Sequence, residues 1–410
     1  MKLNLYRNIG NLLSLEGVAK KKGRRVLEAD LAPIKQAAVL VADGKIVWLG
    51  KEKSIPKKFF EKIRKEIDCG AGTILPAFVE CHTHTIFAGS RANEFEMRMQ
   101  GQSYQEIAAK GGGILSTVQA VEKASEAELI TLAEERLREF RRQGVALVEI
   151  KSGYGLTADA ELKMLKVADQ LKTTTVVSTF LGAHAIPKKY LGRPKDYLDY
   201  LLRTTLPKVI KDTNCRRADI FIEKGFFEAK DSVGFLTKCQ ALGMKITVHA
   251  DQLSRSGGTE LAVSLNASSA DHVIRVNAQD IRQLAKSDVT AVLLPAADLY
   301  MKCPYPPARK MIDAGVRVAV ATDFNPGSSP TQEISLVGLL ARTEMKMSLP
   351  EVIAAYTWNA AKALDYEDRL GSLELGKWAE LACFDLDWDH LFYSVGKGSC
   401  KLYGTRGVRI

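Results

Sequence analysis

The chain of 410 residues has no hydrophobic run of the roughly 18 to 20 residues that a bilayer span needs. Its start, "MKLNLYRNIGNLLSLEGVAKKKGRR", has no apolar core followed by a small-residue cleavage site. No membrane partner and a cytoplasmic location are therefore expected. Its seven cysteines (69, 81, 215, 239, 303, 383 and 400) are scattered, odd in number and without a C-x-x-C. That excludes a disulfide framework and a thiolate zinc site, and fits a reducing compartment with most thiols buried. Low-complexity tracts are absent too. The formal charge is +10, but residues 1–70 hold 16 Lys/Arg against 8 Asp/Glu, a balance of +8, which leaves about +2 for the remaining 340. The basic runs, "AKKKGRR" and "IPKKFFEKIRK", have little aromatic interleaving. They describe a solvated basic face, and no nucleic-acid partner is expected.

What is present is an alternation of periods. Both ends look β-rich: "AAVLVADGKIVWLG" is a hairpin signal turning on Asp43-Gly44, and "GSLELGKWAELACFDL" repeats short apolar runs between glycine turns. Residues 1–72 and 367–410 are assigned to one small β-sandwich domain built from both termini. Residues 73–366 alternate apolar strands with helical segments. The predicted strands are 73–84, 145–155, 174–184, 218–225, 245–251, 269–272, 290–296 and 316–323. Helical stretches lie between them; in "SEAELITLAEERLREFRRQG" Ser125 is placed to cap and Gly144 follows the end. No glycine-rich phosphate loop follows the first strand. The pattern is that of an α/β protein with a (β/α)8 TIM-type barrel rather than an open doubly wound sheet.

Five of the six histidines fall at predicted strand ends, the face where barrel enzymes place their chemistry. His82 and His84 are spaced i, i+2, so in extended chain both rings point one way. His184, His249 and His272 end strands 3, 5 and 6, Asp323 ends strand 8, and only His390 lies in the tail. A lone strand-end histidine is commonly a satisfied polar residue, but this number is a poor coincidence. Imidazoles with a carboxylate suit Zn²⁺ or Fe²⁺ and disfavour Mg²⁺ or Ca²⁺. An ion so held lowers the pKa of a water to about 7. A two-metal site bridged by a modified lysine would have only Lys224 to use, with Glu223 pointing to the opposite face.

The stretches "ILPAFVECHTHTIFAGSRANEFEMR", "SYQEIAAKGGGILSTV", "EIKSGYGL", "TFLGAHAIP", "HADQLSRSGG", "SADH" and "ATDFNPGSSP" resemble the amidohydrolase superfamily and, within it, the imidazolonepropionase family. The likeness is collinear over nearly the whole chain. It implies one divalent ion, Zn²⁺ or Fe²⁺, on His82, His84, His249 and Asp323. It also implies substrate contacts from Arg91, Tyr154, His184, Gln252, Asn325, Gly327 and Ser328. The implied reaction opens the ring of 4-imidazolone-5-propanoate to N-formimidoyl-L-glutamate, a step of histidine breakdown. Arg91 offers a planar fork for a propionate, Tyr154 sits in a flexible "SGYG" loop, and "NPGSS" can offer N–H groups and a hydroxyl. Asp323, His272 and His184 are the expected catalytic groups. Gln252, where related deaminases place a glutamate, cannot carry a proton, which disfavours the alternative of a heterocycle deaminase. A homodimer is expected on general grounds. The glycine-rich "AAKGGGILS" is the candidate lid.

Overall fold

The computed structural model describes residues 2–102, 106, 112–396 and 399–404. Ala108–Gly111 of the candidate lid lie outside the described residues. Seven strands make the terminal sheet: β1 (Leu3–Leu13), β2 (Pro33–Ala42), β3 (Lys45–Lys51), β4 (Ile63–Asp68), β5 (Thr73–Pro76), β14 (Leu381–Phe384) and β15 (Cys400–Tyr403). The β2–β3 hairpin turns on Asp43 and Gly44, both with positive φ (47° and 76°) as a primed two-residue turn requires. β5 joins the two termini, lying between β1 and β14. Apolar clusters cover both faces, one around Ile9, Val39, Ile74 and Leu381, the other around Leu3, Leu5 and Leu40.

The barrel consists of β6 (Phe78–Glu80), β7 (Val145–Lys151), β8 (Thr175–Ala183), β9 (Arg217–Ile222), β10 (Lys245–Ala250), β11 (Ser269–His272), β12 (Thr290–Leu293) and β13 (Val318–Val320). All neighbours run parallel, in sequence order. Burial on both faces explains why these strands read as apolar runs rather than alternations.

One sequence expectation is corrected. The run 73–84 is not a single strand. Thr73–Pro76 pairs within the terminal sheet, and Ala77 donates its N–H to Glu380 O before Phe78 turns to Gly144 O. The barrel strand starts at Phe78. An unbroken apolar run hid a change of sheet.

The seam between β13 and β6 closes without a strand ladder. Thr83 bridges Phe324, His84 N–H donates to Phe324 O at 2.9 Å, and the Glu80 carboxylate accepts the Thr322 N–H at 3.1 Å. Helix Glu126–Arg142 starts at Ser125, whose hydroxyl accepts from Glu128 N, and it packs Leu129, Ala133, Leu137 and Phe140 inward. Among the described residues no helix is long and apolar enough to cross a membrane.

Candidate metal centre and substrate cavity

Ligand atoms of His82, His84 and His249 lie within 4.8 Å of one another, and all three residues are buried. Asp323 places Oδ1 3.5 Å from His82 Nε2 and 3.6 Å from His84 Nε2. The four residues come from the C-terminal ends of three barrel strands: His82 and His84 just past β6, His249 near the end of β10, Asp323 just past β13. His82 Nε2 and His249 Nε2 have no hydrogen-bond partner among the described residues. Buried nitrogens left bare cost free energy unless something uses them. Three imidazoles and a carboxylate converging on one point fit a divalent cation of the Zn²⁺ or Fe²⁺ kind.

The outer partners fit as well. His82 Nδ1 lies 2.6 Å from Asp271 Oδ2, and His249 Nδ1 lies 2.9 Å from Asp219 Oδ2. At His82 the hydrogen bond to Asp271 fixes the proton on Nδ1 and leaves Nε2 free as a ligand, while at His249 the Asp219 contact is an ion pair. Burial holds the His82 and His84 imidazoles well below their usual pKa, so both stay neutral at pH 7. Burial opposes a charge on His249 too, but Asp219 more than offsets it and the pKa rises.

In the metal-free protein, burial pushes the Asp323 carboxyl up to about 7, chiefly against the pull of His249. A cation needs that oxygen ionised, so binding competes with its proton. Affinity therefore rises with pH through about 7, and the raised His249, which must also shed a proton to bind, adds to the rise. Measured by competition with a chelator whose own pH dependence is subtracted, affinity at pH 6 is expected to be roughly tenfold below that at pH 8.

Beside these residues opens a cavity of about 520 Å³. His84, Arg91, Tyr154, His184, His249, Gln252, His272, Asp323, Asn325, Gly327 and Ser328 all line it. Every site residue expected from the sequence except His82 therefore faces one space, and His82 lies fully buried beneath. His390 stands apart on the surface against Asp389. His184 stacks on His84 at 5.2 Å, with Nδ1 3.1 Å from Gly153 O, and burial holds its pKa down at about 4. His272 ends β11 with its ring 5.4 Å from that of His249, and burial keeps it neutral.

Three expectations gain detail. The "SGYG" loop is clamped rather than loose: Glu161 accepts N–H groups from Gly153 (3.0 Å), Gly155 (2.7 Å) and Leu156 (2.9 Å). In "NPGSS" the N–H groups of Gly327 and Ser328 donate to Asn325 Oδ1 at 2.8 Å, so they hold the turn rather than face a ligand. Asp251, just past β10 with φ 51°, does not line the cavity; its carboxylate accepts from Ser256, Gly257 and Thr259 N–H. Lys224 lines the cavity wall but is exposed and outside the histidine cluster, while Glu223 holds the Leu253 and Ser254 amides.

Sequence reasoning missed several supports. Arg136 donates to Thr85 O (2.8 Å) and Phe87 O (2.7 Å), fixing the chain just past His84. Arg98 also lines the cavity and donates to Gly327 O at 3.0 Å. Arg91 pairs with Glu94 through Nε at 2.9 Å and Nη2 at 2.8 Å. Its guanidinium rests on Gly327, where a Cβ would come within 2.1 Å of Nη1. Gly327→Ala must therefore displace Arg91. The expected outcome is a KM about tenfold or more higher, the scale of one charge-assisted hydrogen bond, with an unchanged melting temperature. Steady-state kinetics and a thermal melt check it together.

A parallel barrel carrying three imidazoles and a carboxylate at the C-terminal strand ends is the architecture of an amidohydrolase-class metal enzyme. Residues 216–404 match the Amidohydrolase family. The chain is 56% identical over 407 residues to an imidazolonepropionase of Bdellovibrio bacteriovorus, covering 99% of this chain and 96% of that one. An imidazolonepropionase of Clostridium tetani is 39% identical, covering 96% and 94%. The chain belongs to the imidazolonepropionase family. Solved structures share the fold at low identity. A triazine hydrolase variant superposes with a TM-score of 0.73 at 15% identity, covering 98% of this chain and 94% of its own. A zinc-bound adenosine deaminase from Xanthomonas campestris superposes with 0.67 at 16%, covering 96% and 89%.

Proposed function

We propose that the protein hydrolyses the ring C–N bond of 4-imidazolone-5-propanoate to N-formimidoyl-L-glutamate, using one divalent ion, Zn²⁺ or Fe²⁺, on His82, His84, His249 and Asp323. The observation that carries the proposal is the convergence of those donors at the floor of a cavity with Arg91 in its wall. The ion, when bound, polarises the ring carbonyl and lowers the pKa of a water toward neutrality.

The protein's own groups do the rest. Arg91 binds the propionate through its planar fork, steadied by Glu94. Tyr154 and Gln252 orient the substrate, His184 offers a ring nitrogen to its polar edge, and Ser328 a hydroxyl. Asp323 takes a proton from the attacking water as its oxygen bonds to the ring carbonyl carbon, then returns it to the ring nitrogen as the C–N bond breaks. Asp323 faces the cavity, where its carboxylate can accept that proton and hand it on. His272, neutral at rest, receives a hydrogen bond from the water and aims it. His272→Ala is expected to keep the metal and lose about 10²-fold in kcat; loss of metal with activity would instead make it a ligand.

The direct test is paired turnover. Purified protein is given 4-imidazolone-5-propanoate and, separately, a panel of heterocyclic amines. Formation of N-formimidoyl-glutamate with no ammonia from the amines supports the proposal. Ammonia release from an amine with no ring opening would replace it with a deaminase.

A further inference from the structure

Lys151 ends β7 beneath the histidines, fully buried, in a strand otherwise apolar except for Glu149. Its Nζ donates to Glu149 Oε1 at 2.8 Å. It also lies 2.8 Å from Asp219 Oδ2 and 3.6 Å from Asp271 Oδ2. Those same two oxygens touch His249 Nδ1 (2.9 Å) and His82 Nδ1 (2.6 Å). One ammonium thus gathers two carboxylates, and each carboxylate holds one imidazole of the metal centre.

We propose that Lys151 is the positioning residue of the metal centre, acting through Asp219 and Asp271 to present His249 Nε2 and His82 Nε2 to the cation. The reason is electrostatic. Two carboxylates buried side by side repel, and burial strips the water that would screen them. An ammonium between them turns the repulsion into two attractions and fixes where each Oδ2 sits. Lys151 has no acceptor atom, so both carboxylates remain acceptors toward the rings. That keeps the proton on Nδ1 and the Nε2 lone pair exposed. Glu149 is anchored in turn by Thr179 Oγ1 at 2.5 Å, so the ammonium does not drift. Without it Asp219 keeps the Ile220 N–H on Oδ1 and Asp271 the Thr247 hydroxyl on Oδ2, but the charge that draws the two Oδ2 atoms together is gone.

The inference rests on the divalent-metal reading of the site and not on which substrate is turned over. Its test is therefore metal affinity, measured on the full chain by competition with a chromophoric chelator for Zn²⁺. Wild type, Lys151→Met, Asp271→Asn and the double variant are compared, with far-UV circular dichroism of each metal-free chain as the folding control. Each single variant is expected to bind about 10- to 100-fold more weakly. The double variant is expected to be no weaker than the worse single one, because the lysine acts through the aspartate. Wild-type affinity in Lys151→Met, or a double variant whose loss equals the product of the two, overturns the proposal. Lys151→Gln serves in the same cycle if the methionine variant does not fold. A measurement on the wild type alone guards against both failing. Nitrogen-15 spectra of the metal-free chain are expected to show His82 protonated at Nδ1 and bare at Nε2; the opposite tautomer contradicts the arrangement. Wild type that binds no Zn²⁺ would sink the metal reading itself, an outcome distinct from either.

Discussion

Asp323→Asn is expected to lower kcat about 10³-fold or more even with the metal site filled. The asparagine keeps an oxygen that can face His82 and His84, so excess Zn²⁺ or Fe²⁺ can restore occupancy. What it cannot restore is a group that gains and loses a proton, and positioned proton transfer is worth about 10² to 10⁴ in rate. Among the described residues Asp323 is also the only carboxylate in contact with the histidine cluster that faces the cavity; Asp219 and Asp271 lie behind the rings with their side chains fully buried. Metal content and turnover are measured on the same preparation. A variant that regains full turnover once reloaded would remove Asp323 from the proton path and leave it a ligand only.

Stripping the metal is the second large effect. Protein treated with a strong chelator is expected to lose turnover by about 10³-fold or more, since Lewis-acid and nucleophile-activating effects together are worth several kcal/mol. It is also expected to melt at a lower temperature, because an ion bound only by the native state stabilises it by mass action. Activity should return with one equivalent of Zn²⁺ or Fe²⁺ per chain, since the same imidazole and carboxylate donors accept either. Mg²⁺ should fail, as it prefers an all-oxygen octahedron. Restoration needing two equivalents would point to a second ion, and Lys224 would return as a candidate. Its exposed position at the cavity wall argues for one.

Much of this site was legible because barrel enzymes separate their labels by position. His82, His84, His184, His249, His272 and Asp323 each lie at or just past the C-terminal end of a barrel strand, and the parallel barrel turns "strand end" into "same face". The i, i+2 spacing of His82 and His84 correctly put both rings on one side. The hairpin at Asp43-Gly44 was equally direct, because few residues other than such pairs accept two positive φ values.

Other features left a fainter trace. Pro76 and Ala77 look like the interior of an apolar run, and only pairing to Leu381 reveals that β5 belongs to the other sheet. Burial is the same in both sheets, so periodicity has nothing to report there. The supports of the site were present as lone charges inside otherwise apolar strands: Lys151 in "VALVEIK", Asp219 in "ADIFI", Asp271 in "SADH". A charge in a strand buried on both faces has to be paired, so each was a signal of an inner network. Which charge meets which imidazole depends on strand register, and that is settled by tertiary packing. The clamping of the "SGYG" loop by Glu161 was hidden for the same reason. Glycine-rich sequence suggests mobility, whereas three amide bonds to one carboxylate remove it.

In the proposed reaction water attacks the ring carbonyl carbon of 4-imidazolone-5-propanoate under the control of Asp323. The most direct test is turnover in water enriched in oxygen-18, with the product analysed by fragmentation mass spectrometry. One labelled oxygen in the newly formed carboxylate of N-formimidoyl-glutamate is the expected result. Label on the one-carbon unit between the two nitrogens, or no ring opening by protein holding its metal, would contradict it.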